Sequence, residues 1–312
     1  MSNLNRRQVL KAIGLTAAAA VLSEAGTVAA APIAPKAGNG FVYSLNMSTI
    51  RGHNLGFIKE LEIAAKAGFT SVEIWIDTLQ TYLQSGGSLT EAKKIIDGLG
   101  LKVEDAIGFA AWLADDEPTR KKALEQLQQE MEMLARIDCH RIAAPPAGMT
   151  KGPVLDLDVV TERYLAILKM GEQTGVMPQL EMWGGSQNLK HISQVLYVAT
   201  QCDNPNARVL LDVFHIFKGQ SAAESLKYVG HHALDIFHVN DYPAGISPGQ
   251  ISEPDRVYCG DGIAPLKQIL QIVKNPERPL VISFEVFNKS YYAQDALTVA
   301  KTALAKMKAV AR

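Results

Sequence analysis

The chain has 312 residues, of which 47% are hydrophobic and 20% are charged, and its formal net charge is -1. This composition is typical of a globular protein with a sizeable core, and it excludes a disordered, collagen-like or strongly basic nucleic-acid-binding chain. The three cysteines, Cys139, Cys202 and Cys259, are odd in number and far apart. We therefore expect buried single thiols rather than a disulfide framework or a zinc-binding pair.

The N-terminal segment has the features of an export signal. Arg6 and Arg7 precede a short apolar run, and an alanine-rich cleavage pattern ends at Ala31. The arginine pair resembles the twin-arginine type of signal. The apolar run, residues 13–22, is shorter than the ~20 residues that a membrane span needs. We therefore expect residues 1–31 to be removed and the mature protein to be periplasmic, without stable membrane insertion.

After residue 36, short apolar runs alternate with helical patterns as far as the C-terminus. Gly68 stands where a glycine ends a helix, Ser88 and Glu91 form a capping box, and residues 123–135 repeat apolar side chains at helical spacing. The apolar runs predict eight strands, in chain order at residues 41–46, 71–76, 101–107, 140–146, 177–183, 208–215, 235–241 and 280–287.

Strands that alternate with helices predict a parallel sheet. Eight such units fit a single (β/α)8 barrel, which typically takes ~250 residues. An open doubly wound sheet is the second interpretation, but the segment after the first strand, SLNMSTIRGHN (44–54), is not a glycine-rich phosphate loop. We therefore predict one (β/α)8 barrel domain over residues 37–312.

Four consecutive predicted strands carry ionisable residues at or near their C-terminal ends, namely Glu181, Asp212, His238 and Glu285. In a barrel these ends meet on one face. Carboxylates left unpaired in apolar strands would carry a desolvation penalty of several kcal/mol, so we expect a cation between them. Three carboxylates and one imidazole suit Mn²⁺ or Mg²⁺, and Zn²⁺ or Co²⁺ are also compatible. One such residue alone could be a loop flank or a core histidine; the prediction depends on the set.

Other residues near the predicted site have two interpretations each. Glu73 ends the second strand, where it could bind a substrate hydroxyl at the mouth of the site or form a salt bridge under the rim. Trp183 could present its flat face to a sugar or belong to the core. Of Glu104 and Asp105, on the third strand, one should point into the barrel.

The segments GFTSVEIW, LEMW, LLDVFH, FHVND, DRVYCGDG and SFEVF together resemble the xylose isomerase-like barrels. In particular they are similar to the sugar phosphate isomerase/epimerase family, which includes ketose 3-epimerases and hydroxypyruvate isomerases. The resemblance covers nearly the whole mature chain. It implies that Glu181 and Glu285 are the acid/base pair and also metal ligands, together with Asp212 and His238.

The same resemblance implies that His215 and Arg256 hold substrate oxygens. The chain departs from the family pattern between His238 and Arg256, where it inserts the segment NDYPAGISPGQISEPD (240–255), which is rich in Pro and Gly.

These features predict an enzyme that acts on a small sugar. A divalent cation would stabilise the enediolate formed when a proton next to the carbonyl of a ketose or keto-sugar is removed, which gives an isomerase or epimerase. Loss of a β-hydroxyl would instead give a dehydratase or lyase of a keto-sugar or keto-cyclitol, and a non-catalytic sugar-binding barrel is a further alternative. The absence of evident phosphate-binding basic residues favours an unphosphorylated sugar.

The superfamily also contains a DNA endonuclease with three zinc ions, which needs further histidines on the second and third strands. The segments SVEIW and KVEDAI contain none. We therefore expect no nucleic-acid partner. The sequence leaves the oligomeric state open, and a homo-oligomer is compatible with it.

Overall fold

The computed structural model describes residues 40–312 of the chain. The predicted export signal at residues 1–31 lies outside the described residues and stays a prediction. The described part contains a parallel sheet of eight strands. The strands are β1 Phe41–Asn46, β2 Ser71–Trp75, β3 Lys102–Ile107, β4 Arg141–Ala144, β5 Met177–Glu181, β6 Arg208–Asp212, β7 Ile236–Val239 and β8 Leu280–Phe284.

Helices follow the strands and cover the outside of the sheet. The α-helices are α1 Ser48–Arg51, α2 Phe57–Ala67, α3 Ile76–Gln84, α4 Leu89–Gly98, α5 Glu117–Ala135, α6 Leu157–Thr174, α7 Ile192–Gln201, α8 Val213–Lys218, α9 Leu266–Val273, α10 Lys289–Tyr292 and α11 Ala296–Val310. Short 3₁₀ helices span Ala223–Tyr228, His231–Ala233 and Glu253–Asp255. Within residues 40–312, none of the helices has the length and apolar character that crossing a membrane requires.

The predicted helix signals agree with the observed ends. Helix α2 ends at Gly68, whose positive φ of 95° is a conformation that glycine adopts without strain. Helix α4 begins after Ser88, whose side chain accepts a hydrogen bond from the backbone N–H of Glu91 at 3.2 Å.

The sheet rolls into a nearly closed barrel. Its strand order is β3-β2-β1-β8-β7-β6-β5-β4, so that β3 and β4 stand at the two ends and lie against each other. Arg141 of β4 donates a hydrogen bond to the carbonyl oxygen of Glu104 in β3 at 3.2 Å, across this seam. The prediction of a single (β/α)8 barrel is therefore confirmed for the described residues.

The register of β1, β2 and β3 decides which polar side chains enter the barrel. Asn46 is aligned with Glu73, and Glu73 is aligned with Asp105. A register shift between Val72 and Glu73 gives β3 one extra residue, and such a bulge changes which side chains share a face. Asp105 therefore faces the interior beside Glu73, whereas Glu104 forms a salt bridge with Arg141 at 3.1 Å.

The sixth strand is shorter than predicted. We expected a strand over residues 208–215, but β6 ends at Asp212 and α8 begins at Val213. The run VLLDVFHIF is buried along most of its length, so the apolar pattern does not distinguish a strand from a helix. The three-residue spacing of Asp212 and His215 is that of a helix cap: Asp212 Oδ1 accepts the backbone N–H of His215 at 2.9 Å.

The core lies between the sheet and its helices, and the cysteines are part of it. Cys139, Cys202 and Cys259 are buried and form no disulfide, as expected from their spacing. Because the strands are parallel, their C-terminal ends share one face of the barrel, and the predicted ionisable residues lie there.

Candidate active site

Three of the four predicted ligands come together at the C-terminal face of the barrel. Asp212, His238 and Glu285 each offer one ligand atom, and these atoms all lie within 4.8 Å of one another. His238 Nδ1 is 3.2 Å from Glu285 Oε2 and 3.8 Å from Asp212 Oδ2, and it makes no well-aligned hydrogen bond. All three residues are buried.

This set fits a divalent cation. Two ligand atoms that bind one cation at ~2.1 Å each lie at most ~4.2 Å apart, so the cluster needs only small side-chain adjustments to coordinate an ion. Two carboxylate oxygens and one imidazole nitrogen are donors that Mn²⁺, Mg²⁺, Zn²⁺ and Co²⁺ all accept.

Glu73 lies beneath this cluster and orients the histidine. It is completely buried, and its carboxylate accepts a hydrogen bond from His238 Nε2 at 3.1 Å. Of the two interpretations of Glu73, the structure agrees with the salt bridge under the rim and not with a position at the mouth, because the side chain is directed to His238. With Nε2 donating to Glu73, Nδ1 faces the carboxylates of Asp212 and Glu285. Burial alone would lower the pKa of His238, but Glu73 and Glu285 raise it well above its usual value.

Two asparagines that we did not single out connect the acidic residues. Asn46, the last residue of β1, donates to Glu73 and to Glu285, both at 3.1 Å. Asn240 follows β7 and donates to Asp212 Oδ2 at 2.9 Å. Their position at strand ends is the same signal that identified the ionisable residues, and it could have found them.

Arg256 is buried in the site as the partner of its acidic residues. Its Nη1 lies 3.0 Å from Asp212 Oδ2 and 2.8 Å from Glu285 Oε2, and its Nη2 pairs with Glu253. The guanidinium carbon is 4.3 Å from the centre of the Phe214 ring. Burial opposes the charge, but the three carboxylates raise the pKa of Arg256 well above its usual value. Its predicted contact with substrate oxygens stays a prediction.

Glu181 lies in the same cavity but outside the cluster of three ligand atoms. Burial raises the pKa of Glu181 to about 8, partly offset by the charge of His238. Glu285 differs, because His238 and Arg256 outweigh the effect of its burial and hold its pKa well below the usual value. Before any cation binds, one carboxyl group is thus protonated and the other ionised at neutral pH. The predicted role of Glu181 as a ligand stays a prediction.

His215 and Trp183 stand side by side on the wall of the cavity. Their ring centres are 6.0 Å apart, and His215 Nε2 is 3.4 Å from Arg256 Nη2. Burial and the nearby Arg256 charge lower the pKa of His215 well below its usual value, so its ring is neutral. Gly184 makes this arrangement feasible, because a Cβ at that position would overlap the carbonyl oxygen of His215.

The cavity that Glu285, Glu181 and Arg256 line has a volume of about 200 Å³. Aromatic side chains form much of its wall: Trp75, Phe109, Trp183 and Phe287. We did not single out Phe109 or Phe287, although Phe109 follows the third predicted strand and Phe287 ends the eighth. Phe109 is 46% exposed, and its ring centre is 5.4 Å from that of Trp75 and 6.1 Å from that of Trp183. Such rings can pack against the apolar face of a small cyclic or linear polyol.

The chain is similar to curated enzymes over most of its length. It is 25% identical to the inosose isomerase of Halalkalibacterium halodurans over 264 residues, which are 82% of this chain and 91% of that protein. It is also 25% identical to the inosose isomerase of Bacillus subtilis over 268 residues, which are 81% of this chain and 92% of that protein.

Solved structures show the same fold. The crystal structure of the IolI protein with a bound zinc atom has a TM-score of 0.79 and 23% identity, and the match covers 87% of this chain and 98% of that one. D-Psicose 3-epimerase from Clostridium cellulolyticum H10, crystallised with D-tagatose, has a TM-score of 0.69 and 18% identity over 86% of this chain and 98% of that one.

A family model provides the assignment. The model for the xylose isomerase-like TIM barrel matches residues 61–310, which is most of the chain. This match agrees with the eight-stranded barrel and with the order of its polar strand ends. The chain belongs to the xylose isomerase-like TIM barrel family.

Proposed function

We propose that this protein is a divalent-metal-dependent isomerase or epimerase of a ketose, a keto-sugar or a related cyclic polyol ketone. The observation that carries the proposal is the buried cluster of Asp212, His238 and Glu285, whose member Glu285 lines a cavity with aromatic walls. The names of the related proteins, inosose isomerase and D-psicose 3-epimerase, support a polyol ketone as the substrate.

In this proposal Asp212, His238 and Glu285 hold the cation, and Glu181 is the candidate fourth ligand. When bound, a divalent cation would stabilise the negative charge that develops on the substrate oxygens as the proton next to the carbonyl leaves. The donor set makes Mn²⁺ and Mg²⁺ the first choices to test, with Zn²⁺ and Co²⁺ next.

The two glutamates are the candidate acid/base pair for the proton transfer, because both line the cavity and a bound cation would hold them in position. Glu181 ends β5 and Glu285 follows β8, and strands β6 and β7 lie between these two strands in the sheet. One can therefore take a proton on one side of a substrate while the other returns a proton on a different side.

The remaining wall positions the substrate. The neutral ring of His215 can donate or accept a hydrogen bond at a hydroxyl. Trp183 and Phe109 line the same cavity and can pack against the apolar face of a substrate. Arg256 holds Asp212 and Glu285 in place through their carboxylate oxygens.

Solvent exchange tests the proposal directly. Inososes and free ketoses are incubated in heavy water with the purified protein and Mn²⁺, and deuterium at the carbon next to the carbonyl is measured. We expect exchange that Glu285→Gln lowers by about 10²–10⁴-fold. The control Glu277→Gln removes an exposed carboxylate remote from the cavity and leaves the rate unchanged.

The products distinguish the alternatives. An epimer or an aldose supports the proposed class, whereas loss of water from the substrate identifies the lyase. Absence of exchange with every polyol ketone, in a protein that contains metal, would refute the enzyme proposal and favour a sugar-binding barrel.

We also propose that the protein is exported to the periplasm, on the basis of Arg6, Arg7 and the alanine-rich segment that ends at Ala31. N-terminal sequencing of the mature protein from the periplasmic fraction tests this. A start near residue 32 is expected; retention in the cytoplasm with an intact N-terminus contradicts it.

A further inference from the structure

The segment 240–255, between β7 and Arg256, places a carboxylate at the cavity. Its end forms the 3₁₀ helix Glu253–Asp255, where Ser252 donates its backbone N–H and its hydroxyl to Asp255 at 2.8 and 2.7 Å. The other end is fixed by an antiparallel bridge between Asp241 and Val257. Glu253 is thereby held on the cavity wall, with its side chain 42% exposed.

The contacts of Arg256 show what Glu253 does there. Arg256 Nη1 donates hydrogen bonds to Asp212 and Glu285. Its Nη2 forms a salt bridge with Glu253 and lies 3.4 Å from His215 Nε2. Its guanidinium is the only cationic side chain among the described residues that line the cavity. An arginine must present accessible N–H groups to bind a phosphate, but here Nη1 and Nη2 both have carboxylate partners and Nε is buried.

The charges around the cavity also disfavour the binding of a phosphate. Three carboxyl groups line the cavity, those of Glu181, Glu253 and Glu285. Together the carboxylates of Asp212, Glu285 and Glu253 would balance the charges of Arg256 and of a divalent cation in the cluster. No net positive charge therefore remains at the mouth for an anionic group of a substrate.

We propose that Glu253 is a specificity-determining residue that restricts the site to neutral polyols and rejects phosphate esters. The inference rests on the proposed function and names its substrate class. An ionised carboxylate only accepts hydrogen bonds, so Glu253 can receive a substrate hydroxyl, whereas its charge cancels the attraction of Arg256 for a phosphate. At a separation of ~6 Å in a partly screened site, this cancelled attraction is expected to lower phosphate binding by at least about tenfold.

The test compares the wild-type enzyme with Glu253→Gln, which keeps the shape of the side chain and removes its charge. Values of kcat/KM for deuterium exchange are measured on the best free ketose and on its phosphate ester. We expect the preference of the wild type for the free ketose to fall at least about tenfold in Glu253→Gln. Glu277→Gln, an exposed carboxylate remote from the cavity, should retain the wild-type preference.

A binding measurement keeps this inference separate from the catalytic proposal. Inorganic phosphate is titrated against each protein, with the fluorescence of Trp75 and Trp183 as the signal, because both rings line the cavity. Tighter phosphate binding by Glu253→Gln supports the inference even if no ketone exchanges, in which case only the proposed function fails. An unchanged preference and unchanged phosphate binding, in a variant with normal metal content and thermal unfolding, would overturn the role of Glu253.

Discussion

Replacing Glu73 by glutamine tests whether this residue positions His238. Two donors converge on the Glu73 carboxylate, His238 Nε2 and Asn46 Nδ2, each at 3.1 Å. A glutamine amide has one oxygen, so one of these donors would face an NH₂ group, and the negative charge beside His238 would be lost. Losing a partner of this type typically costs ~10–100-fold in metal affinity, or about 1.4–2.8 kcal/mol.

The pH dependence of Glu73→Gln distinguishes positioning from general loss of structure. In the wild type, Glu73 and Glu285 raise the pKa of His238, so a proton competes with the cation over a wide pH range and the affinity rises with pH. Removing the Glu73 charge lowers the pKa of His238. We therefore expect the affinity of the variant to be lower overall and to change less with pH.

Calorimetric titration of Mn²⁺ and Zn²⁺ at about pH 6 and pH 8 measures both effects. Glu104→Gln is the matched control, because Glu104 is equally buried on the neighbouring strand but pairs with Arg141 and Lys102. It should lower the thermal stability without changing metal affinity. Wild-type affinity and pH profile in Glu73→Gln, or equal losses of affinity in the two variants, would refute the reasoning.

Three further predictions follow from the site. Asp212→Asn should keep helix α8, because asparagine is as good an N-cap as aspartate. The variant should contain less metal than the wild type in elemental analysis, and an unchanged metal content would show that Asp212 is not a ligand. In the wild type, metal binding should release a proton from His238, because the pKa of this histidine is raised. The heat of metal binding should therefore differ between two buffers of different ionisation enthalpy, and equal heats would contradict the prediction. Phe109→Ala should raise KM for a polyol ketone about three- to tenfold. The unfolding temperature should change little, because the ring is half exposed. An unchanged KM would show that the ring does not contact the substrate.

The strand-end pattern located much of this site from the sequence. Apolar runs identified all eight strands, and the rule that active sites collect at the C-terminal ends of barrel strands brought Asp212, His238 and Glu285 together. These residues were predictable because each lies at or next to the C-terminal end of a strand, and a regular barrel brings these ends together on one face.

Side-chain direction across the barrel was harder to predict. Glu73 points to His238, and Asp105 lies inside in place of Glu104, because of a bulge between β2 and β3 that leaves no mark in the apolar pattern. The position of Glu253 depends on the fold of an irregular segment, which is held by local turns and by the bridge between Asp241 and Val257. Such contacts between segments far apart in the chain are set by tertiary packing, and a single sequence contains no periodic signal for them.

The two oxygens of Asp212 bind in different directions: Oδ1 receives the backbone N–H of His215, and Oδ2 faces Arg256 and the cluster. A single planar carboxylate and one helical turn therefore set the distance between the proposed ion and the backbone of His215, whereas Trp183 and Gly184 pack against this residue from another loop. Grafting the tetrapeptide DVFH onto the same strand of another barrel should therefore carry over the backbone geometry, and the imidazole ring should need the loop of Gly184 as well.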